Sequence, residues 1–156
     1  MKRIIRLGAI GAAVVLALVQ LANPTRTNPP VTSDLIAAST PPPRVAALLH
    51  AACYDCHSNE TKWPWYSRVA PLSWLVAHDV NEGRQHLNFS EWPRRFPDQA
   101  ARRFDAISDE VDHGDMPPGK YTAIHVDARL TKEDRKLLTG WADAESDRLR
   151  PAAPAQ

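Results

Sequence analysis

Cys53, Cys56 and His57 form a C-x-x-C-H motif, and the chain of 156 residues has no other cysteine. Two thiols three positions apart at the end of a helix can reach two neighbouring vinyl groups of one porphyrin. The imidazole of the next residue then faces the iron from one side. The motif therefore predicts one covalently attached haem, with His57 as an axial ligand of the iron.

Other uses of a paired cysteine motif fit this sequence less well. A thioredoxin-like redox pair belongs to a βαβ context, and no alternating run of β-branched residues predicts a strand here. A structural zinc needs four ligands, and no second Cys pair or spaced His pair completes the set. A plain disulfide remains open, although it leaves His57 without a role.

A positively charged start followed by an apolar run predicts export across a membrane. Lys2, Arg3 and Arg6 precede the run 7–22, which has no polar face. A cleavage site after Ala22 would place Gln20 where a small residue is preferred, so residues 1–22 favour an uncleaved anchor over a cleaved signal. The charge bias places the rest of the chain outside, on the periplasmic side of a bacterial inner membrane.

The next stretch, 23–43, holds six of the 14 prolines of the chain. Proline fixes φ and removes a backbone donor, so this stretch is predicted to be an extended, semi-rigid linker. Residues 44–150 then form the haem-binding domain, and residues 151–156 are predicted to be a flexible tail. Basic and acidic side chains number 19 and 18, a balance that does not suggest a nucleic-acid-binding surface.

Apolar spacing of three and four residues predicts an all-α domain. Thr131 and Asp134 predict a capping box at the start of the last helix, and Gly114 is a stop signal for the third. The four predicted helices are 44–52, 72–85, 98–112 and 132–149.

Met116 is the predicted second axial ligand of the iron. It lies between Asp115 and Pro117 in an irregular loop, which is a poor setting for a core methionine but one that can hold a thioether against iron. The alternative ligands are His78, His86, His113 and His125.

The order of these parts resembles small mono-haem cytochromes c. More narrowly, residues 53–65 (CYDCHSNETKWPW) and 79–92 (DVNEGRQHLNFSEW) look like the bacterial haem-binding domain proteins, which resemble membrane-anchored periplasmic c-type cytochromes. The resemblance covers most of 44–141 and implies a cytochrome c-like helical fold around one haem, with His57 and Met116 as ligands. The Trp-rich insert 63–92 departs from simple soluble cytochromes, and its role does not follow from the sequence.

Electron transfer is the function that this ligand set predicts. A haem iron with both His57 and Met116 bound has no open site for a substrate, so no catalytic residues are expected. The partners would be other redox proteins of the periplasm or inner membrane. The alternatives are a peroxidase-like haem enzyme, with His113 as an acid/base group, and a redox or gas sensor subunit of a larger complex.

Overall fold

The computed structural model describes residues 1–150, so the tail predicted for residues 151–156 lies outside the described residues. This part of the chain is helical and contains no β-strand beyond one isolated bridge between Ser33 and Glu91. The all-α prediction is therefore confirmed. The helices are α1 Lys2–Val19, α2 Leu35–Ser39, α3 Pro43–Ala52, α4 Tyr54–His57, α5 Leu72–His86, α6 Pro97–His113, α7 Gly119–Thr122 and α8 Lys132–Leu149.

The four helices predicted from apolar spacing correspond to α3, α5, α6 and α8, with ends within about one residue of prediction. Local signals set these ends. Thr131 and Asp134 form the expected capping box, with both reciprocal hydrogen bonds present. Gly114 ends α6 with φ of 83°, in the left-handed region that glycine adopts without steric cost.

The core lies between α6 and α8, with α3 packed beside them. Phe104 of α6 is its centre: its ring lies 4.8 Å from that of Trp92 and 5.3 Å, edge to face, from that of Trp141. Leu138 and Ala142 of α8 are buried in the same cluster. This side of the molecule is a closed helical core, and it supports α3, which leads into the cysteine motif.

The Pro-rich stretch 23–43 follows the surface of the domain, which differs from the picture of a free spacer. Leu35 is fully buried in the core, and its backbone N–H donates to the Phe89 carbonyl at 2.8 Å. Ser33 and Trp92 pair through their backbones at 2.7 Å. The prolines keep the chain extended, as expected, but an extended chain can still bury a side chain. The division between linker and domain at residue 43 stays a prediction.

Helix α1 continues through a 3-10 turn, Gln20–Ala22, so that 21 residues from Lys2 to Ala22 are long and apolar enough to cross a membrane. At 1.5 Å per residue they span about 31 Å, close to the thickness of a hydrocarbon core of about 30 Å. The apolar run 7–22 is shorter than this helix, because the helix also includes residues 2–6. An export signal meets the same criteria, so the choice between anchor and cleaved signal stays open.

We expect Leu35→Ala to lower the free energy of unfolding of the detergent-solubilised protein by about 2–5 kcal/mol, because it leaves a cavity in the core. Val31→Ala is the control, since Val31 lies in the same stretch but is 45% exposed and should change stability by less than about 0.5 kcal/mol. Urea unfolding of the two variants measures the difference. Equal, small effects would mean that stretch 23–43 is a spacer after all.

Candidate haem-binding site

The cysteine motif forms a single helical turn at the end of α3. Cys53 joins α3 to α4, and its backbone N–H donates to the Leu49 carbonyl at 2.9 Å. The Cys53 carbonyl in turn accepts from the N–H groups of Cys56 and His57, at 3.2 and 2.9 Å. The turn thus brings together three of the four predicted haem-binding residues, and both cysteines are free thiols rather than a disulfide.

His57 is held at two points by the segment that follows α5. Its Nδ1 lies 3.0 Å from the carbonyl oxygen of Leu87, and its own carbonyl accepts from the Phe89 N–H at 2.7 Å. A carbonyl oxygen can only accept, so Nδ1 carries the proton and Nε2 keeps its lone pair. Burial lowers the pKa of His57, which also favours the neutral ring. This is the state of a histidine ready to ligate a metal through Nε2.

Burial raises the pKa of both thiols, to about 12 for Cys53 and about 11 for Cys56. For Cys53 the second cause is the nearby Cys56, and for Cys56 it is the nearby carboxylate of Asp79. Reactive redox cysteines have lowered pKa values, because the thiolate is the nucleophile. The surroundings of this pair therefore argue against a thioredoxin-like exchange site.

Gly83 of α5 allows that helix to press directly on the motif. A Cβ atom at position 83 would lie 2.6 Å from the carbonyl oxygen of Cys56, closer than any real Cβ contact. The obstructing atom is backbone, so it cannot rotate away. Glycine is required here by the close approach of α4 and α5.

Gly83→Ala should therefore push the Cys56 turn away from α5 and lower the free energy of unfolding by about 1–3 kcal/mol, as overpacking does. Gly140→Ala in α8 is the matched control, because nothing lies within 4 Å of its Cβ position. That change should raise stability by about 0.5–1 kcal/mol through helix propensity alone. Urea unfolding with the haem content of each variant checks both. Equal stabilisation by the two alanines would contradict the close packing of α4 and α5.

A cavity of about 560 Å³ opens beside Cys56. Its volume falls within the range of pockets that hold small organic ligands. The walls are largely apolar and come from four parts of the chain: the cysteine motif with the loop that follows it (55–64), the turn Trp65–Arg68, α5, and the segment from α7 onward. The apolar lining residues are Pro64, Trp65, Leu72, Leu75, Val76, Val80 and Ile124.

Four polar side chains along the cavity are linked by two hydrogen bonds and one ring stack. Tyr66 Oη lies 2.6 Å from His125 Nε2, and the His125 ring stacks on Tyr121 with centroids 4.1 Å apart. Tyr121 Oη donates to the carboxylate of Asp55 at 3.0 Å. Burial raises the pKa of Tyr121, and the Asp55 charge adds to the shift. These linked side chains thus reach the cysteine motif, because Asp55 lies between Cys53 and Cys56. Sequence reasoning missed Tyr121 and Asp55, because their pairing joins positions 66 residues apart.

Met116 follows the end of α6 and, like Cys53 and His57, does not line this cavity; of the four predicted haem-binding residues only Cys56 does. Its backbone N–H donates to the Glu110 carbonyl at 3.0 Å, and its carbonyl accepts from Arg135 of α8 at 3.3 Å. The Met116 side chain is half-buried. The loop is therefore fixed by its backbone, while the role of Met116 as a ligand stays a prediction.

Of the four alternative histidines, only His125 lines the cavity. His78, His86 and His113 are exposed. His86 lies 3.5 Å from Glu82 on the same helix, and His113 Nδ1 lies 2.7 Å from the carbonyl of Asp109. The contacts of His86 and His113 are typical of surface histidines, and none of the three lines the cavity.

The stretch 79–92, which resembles the haem-binding domain proteins, is used mainly for support. Arg84 donates to the Ser58 carbonyl at 2.7 Å and, at 2.9 Å each, to the carbonyl of Thr27 and the side chains of Asn28 and Thr61. Four of the five guanidinium N–H groups are thus engaged within the protein. Arg84 anchors the loop after His57. The cationic side chains that line the cavity are instead Lys62 and Lys120.

The chain matches the family model described as "Haem-binding domain" over residues 14–144 and belongs to this family. The match includes stretch 23–43, in agreement with the burial of Leu35. No curated protein and no solved structure matches the chain.

A haem suits the residues that the fold brings together. The cavity beside Cys56 offers apolar walls to a flat macrocycle, and His57 has an unprotonated Nε2 available for iron. Lys62 would provide a cation for carboxylates at its edge, whereas Lys120 is already paired with Asp79 at 2.8 Å. Cys53 and Cys56 are unpaired thiols on one helical turn.

Proposed function

We propose that this protein is a c-type cytochrome of the periplasm, anchored by α1, which carries one covalent haem and passes single electrons between redox partners. The observation that carries the proposal is the fixation of His57 next to two free thiols, one of which, Cys56, lines an apolar cavity. The family match supports haem binding, and the apolar α1 is consistent with export.

In this proposal Cys53 and Cys56 hold the haem through thioether bonds, and His57 binds the iron through Nε2. The Leu87 carbonyl orients the imidazole and makes it a stronger ligand. Bound haem supplies one-electron oxidation and reduction at its iron. The apolar walls would exclude water from the bound haem, and Lys62 would bind a carboxylate at its edge.

Met116 is proposed as the second axial ligand. The support is its setting: a loop fixed at both backbone groups can hold a thioether in one place without a helix's constraints. A methionine in this position raises the reduction potential and closes the iron to exogenous ligands, as expected of an electron carrier.

Attachment is tested by co-expressing the full chain with a c-type maturation system and staining a denaturing gel for haem. The unsubstituted protein should retain one haem per chain, whereas Cys53→Ala with Cys56→Ala should lose it, because no thioether can form. Glu60→Gln is the control, since this exposed side chain lies beside the motif without belonging to it. Haem that washes out of the unsubstituted protein would contradict covalent attachment.

The second ligand is tested by carbon monoxide binding to the ferrous protein. We expect no binding by the unsubstituted protein and near-stoichiometric binding by Met116→Ala, with loss of the ferric sulfur-to-iron charge-transfer band. His125→Ala is the matched variant, because it removes the histidine that lines the cavity. If His125→Ala opens the iron and Met116→Ala does not, histidine is the ligand.

A haem enzyme remains the second candidate, and the position of His125 favours it specifically. His125 lines the cavity and is hydrogen-bonded to Tyr66, so it could act as an acid/base group there. The exposed His113, first considered for this role, does not line the cavity. This candidate requires an open iron. Carbon monoxide binding to the unsubstituted protein, together with turnover of peroxide, would support it over electron transfer.

A further inference from the structure

The outer end of α1 is hydrogen-bonded to the segment that leads into α5. The side-chain amide of Gln20 pairs with the backbone of Ala70 in both directions, donating at 3.2 Å and accepting at 2.9 Å. The indole N–H of Trp74 donates to the Ala22 carbonyl at 2.9 Å. Three hydrogen bonds thus tie residues 70–74 to the last residues of the apolar helix.

If α1 crosses a membrane, these contacts set the depth of residues 70–74 relative to the bilayer. Residues 2–22 match the thickness of the hydrocarbon core, so Gln20 and Ala22 would lie at its outer boundary. A hydrogen bond of about 3 Å allows little difference in depth between its partners. Ala70 and Trp74 would therefore lie at the same boundary, in the headgroup layer.

The surface around this contact has the composition of a membrane interface. We call the exposed apolar residues Trp65, Val69, Leu72 and Trp74 the interfacial patch; they are 76%, 44%, 48% and 41% exposed. Tryptophan is enriched where membrane meets water, because its ring is apolar and its N–H is polar. Trp65 and Leu72 also line the cavity, but Val69 and Trp74 do not. A ligand in the cavity would therefore not account for the exposure of Val69 and Trp74.

The charges near the patch also suit a lipid surface. Residues 61–78 contain no Asp or Glu, although the chain has 18 such residues. The same stretch contains Lys62 and Arg68, both exposed. Cations attract lipid phosphates, and carboxylates would be repelled by anionic headgroups.

We propose that the interfacial patch lies in the headgroup layer of the bilayer that α1 crosses, so that the domain rests on the membrane surface with its cavity opening nearby. The inference deepens the proposed anchoring by α1 and depends on it. It differs from a simple tether, in which stretch 23–43 would hold the domain away from the lipid.

The test uses the full haem-loaded chain in nanodiscs of phosphatidylcholine and phosphatidylglycerol. In three separate variants, a genetically encoded azide-bearing residue replaces Val15, Val69 or Lys136. One nitroxide reagent is coupled to the azide in each variant, which leaves the two cysteines unmodified. Spin-relaxation measurements then compare collisions with oxygen, which concentrates in lipid, and with a water-soluble nickel chelate. Val15 reports on α1, Val69 on the patch, and the exposed Lys136 of α8 is the control.

The expected result is an oxygen-to-nickel ratio highest at position 15 and several-fold higher at position 69 than at position 136. A high ratio at 15 with equal, low ratios at 69 and 136 would overturn the docking of the patch and leave the anchor intact. A low ratio at position 15 would remove the anchor and the inference with it.

Discussion

The site depends on the way one short segment fixes His57. The Leu87 carbonyl sets the proton on Nδ1, and the Phe89 N–H fixes the backbone of the same residue. Gly83, one turn earlier, presses on the Cys56 carbonyl. Arg84 binds the loop that follows His57. The last turn of α5 and the residues after it therefore hold the motif from several sides, and the polypeptide itself orients the His57 ring.

This arrangement explains why the sequence marks the cysteine–histidine motif but does not mark the residues that support it. Cys53, Cys56 and His57 belong to one helical turn, so their spacing alone brings them together. The helices α3, α5, α6 and α8 are likewise set by local signals, such as the Thr131 cap. The Leu87–His57 contact joins residues 30 positions apart, and nothing in the local pattern marks a backbone carbonyl as a partner.

The Trp-rich insert shows the same limit, because its tryptophans have different roles. Trp92 packs in the core against Phe104, and the indole of Trp63 donates to Asn28. Trp65 lines the cavity, and Trp74 binds the end of α1. The clustering in sequence gave no role for the insert, and the fold distributes the side chains among several surfaces. Stretch 23–43 was similarly judged by its prolines, although burial of a single residue, Leu35, ties it to the core.

The positions of these parts bear on how electrons would reach a haem in this domain. The turn that contains Trp65 borders the cavity on one side and belongs to the interfacial patch on the other. The closed core of α6 and α8, which carries many of the acidic residues, contributes no residue to the cavity lining. If the patch rests on lipid, a partner bound in the same membrane approaches the cavity side directly. The two lysines of the cavity lining are balanced by Asp55 and Asp79, so the lining has no excess of positive charge that would steer an acidic partner. The acidic side chains of α6 lie elsewhere, so their charge alone does not indicate where a partner would dock.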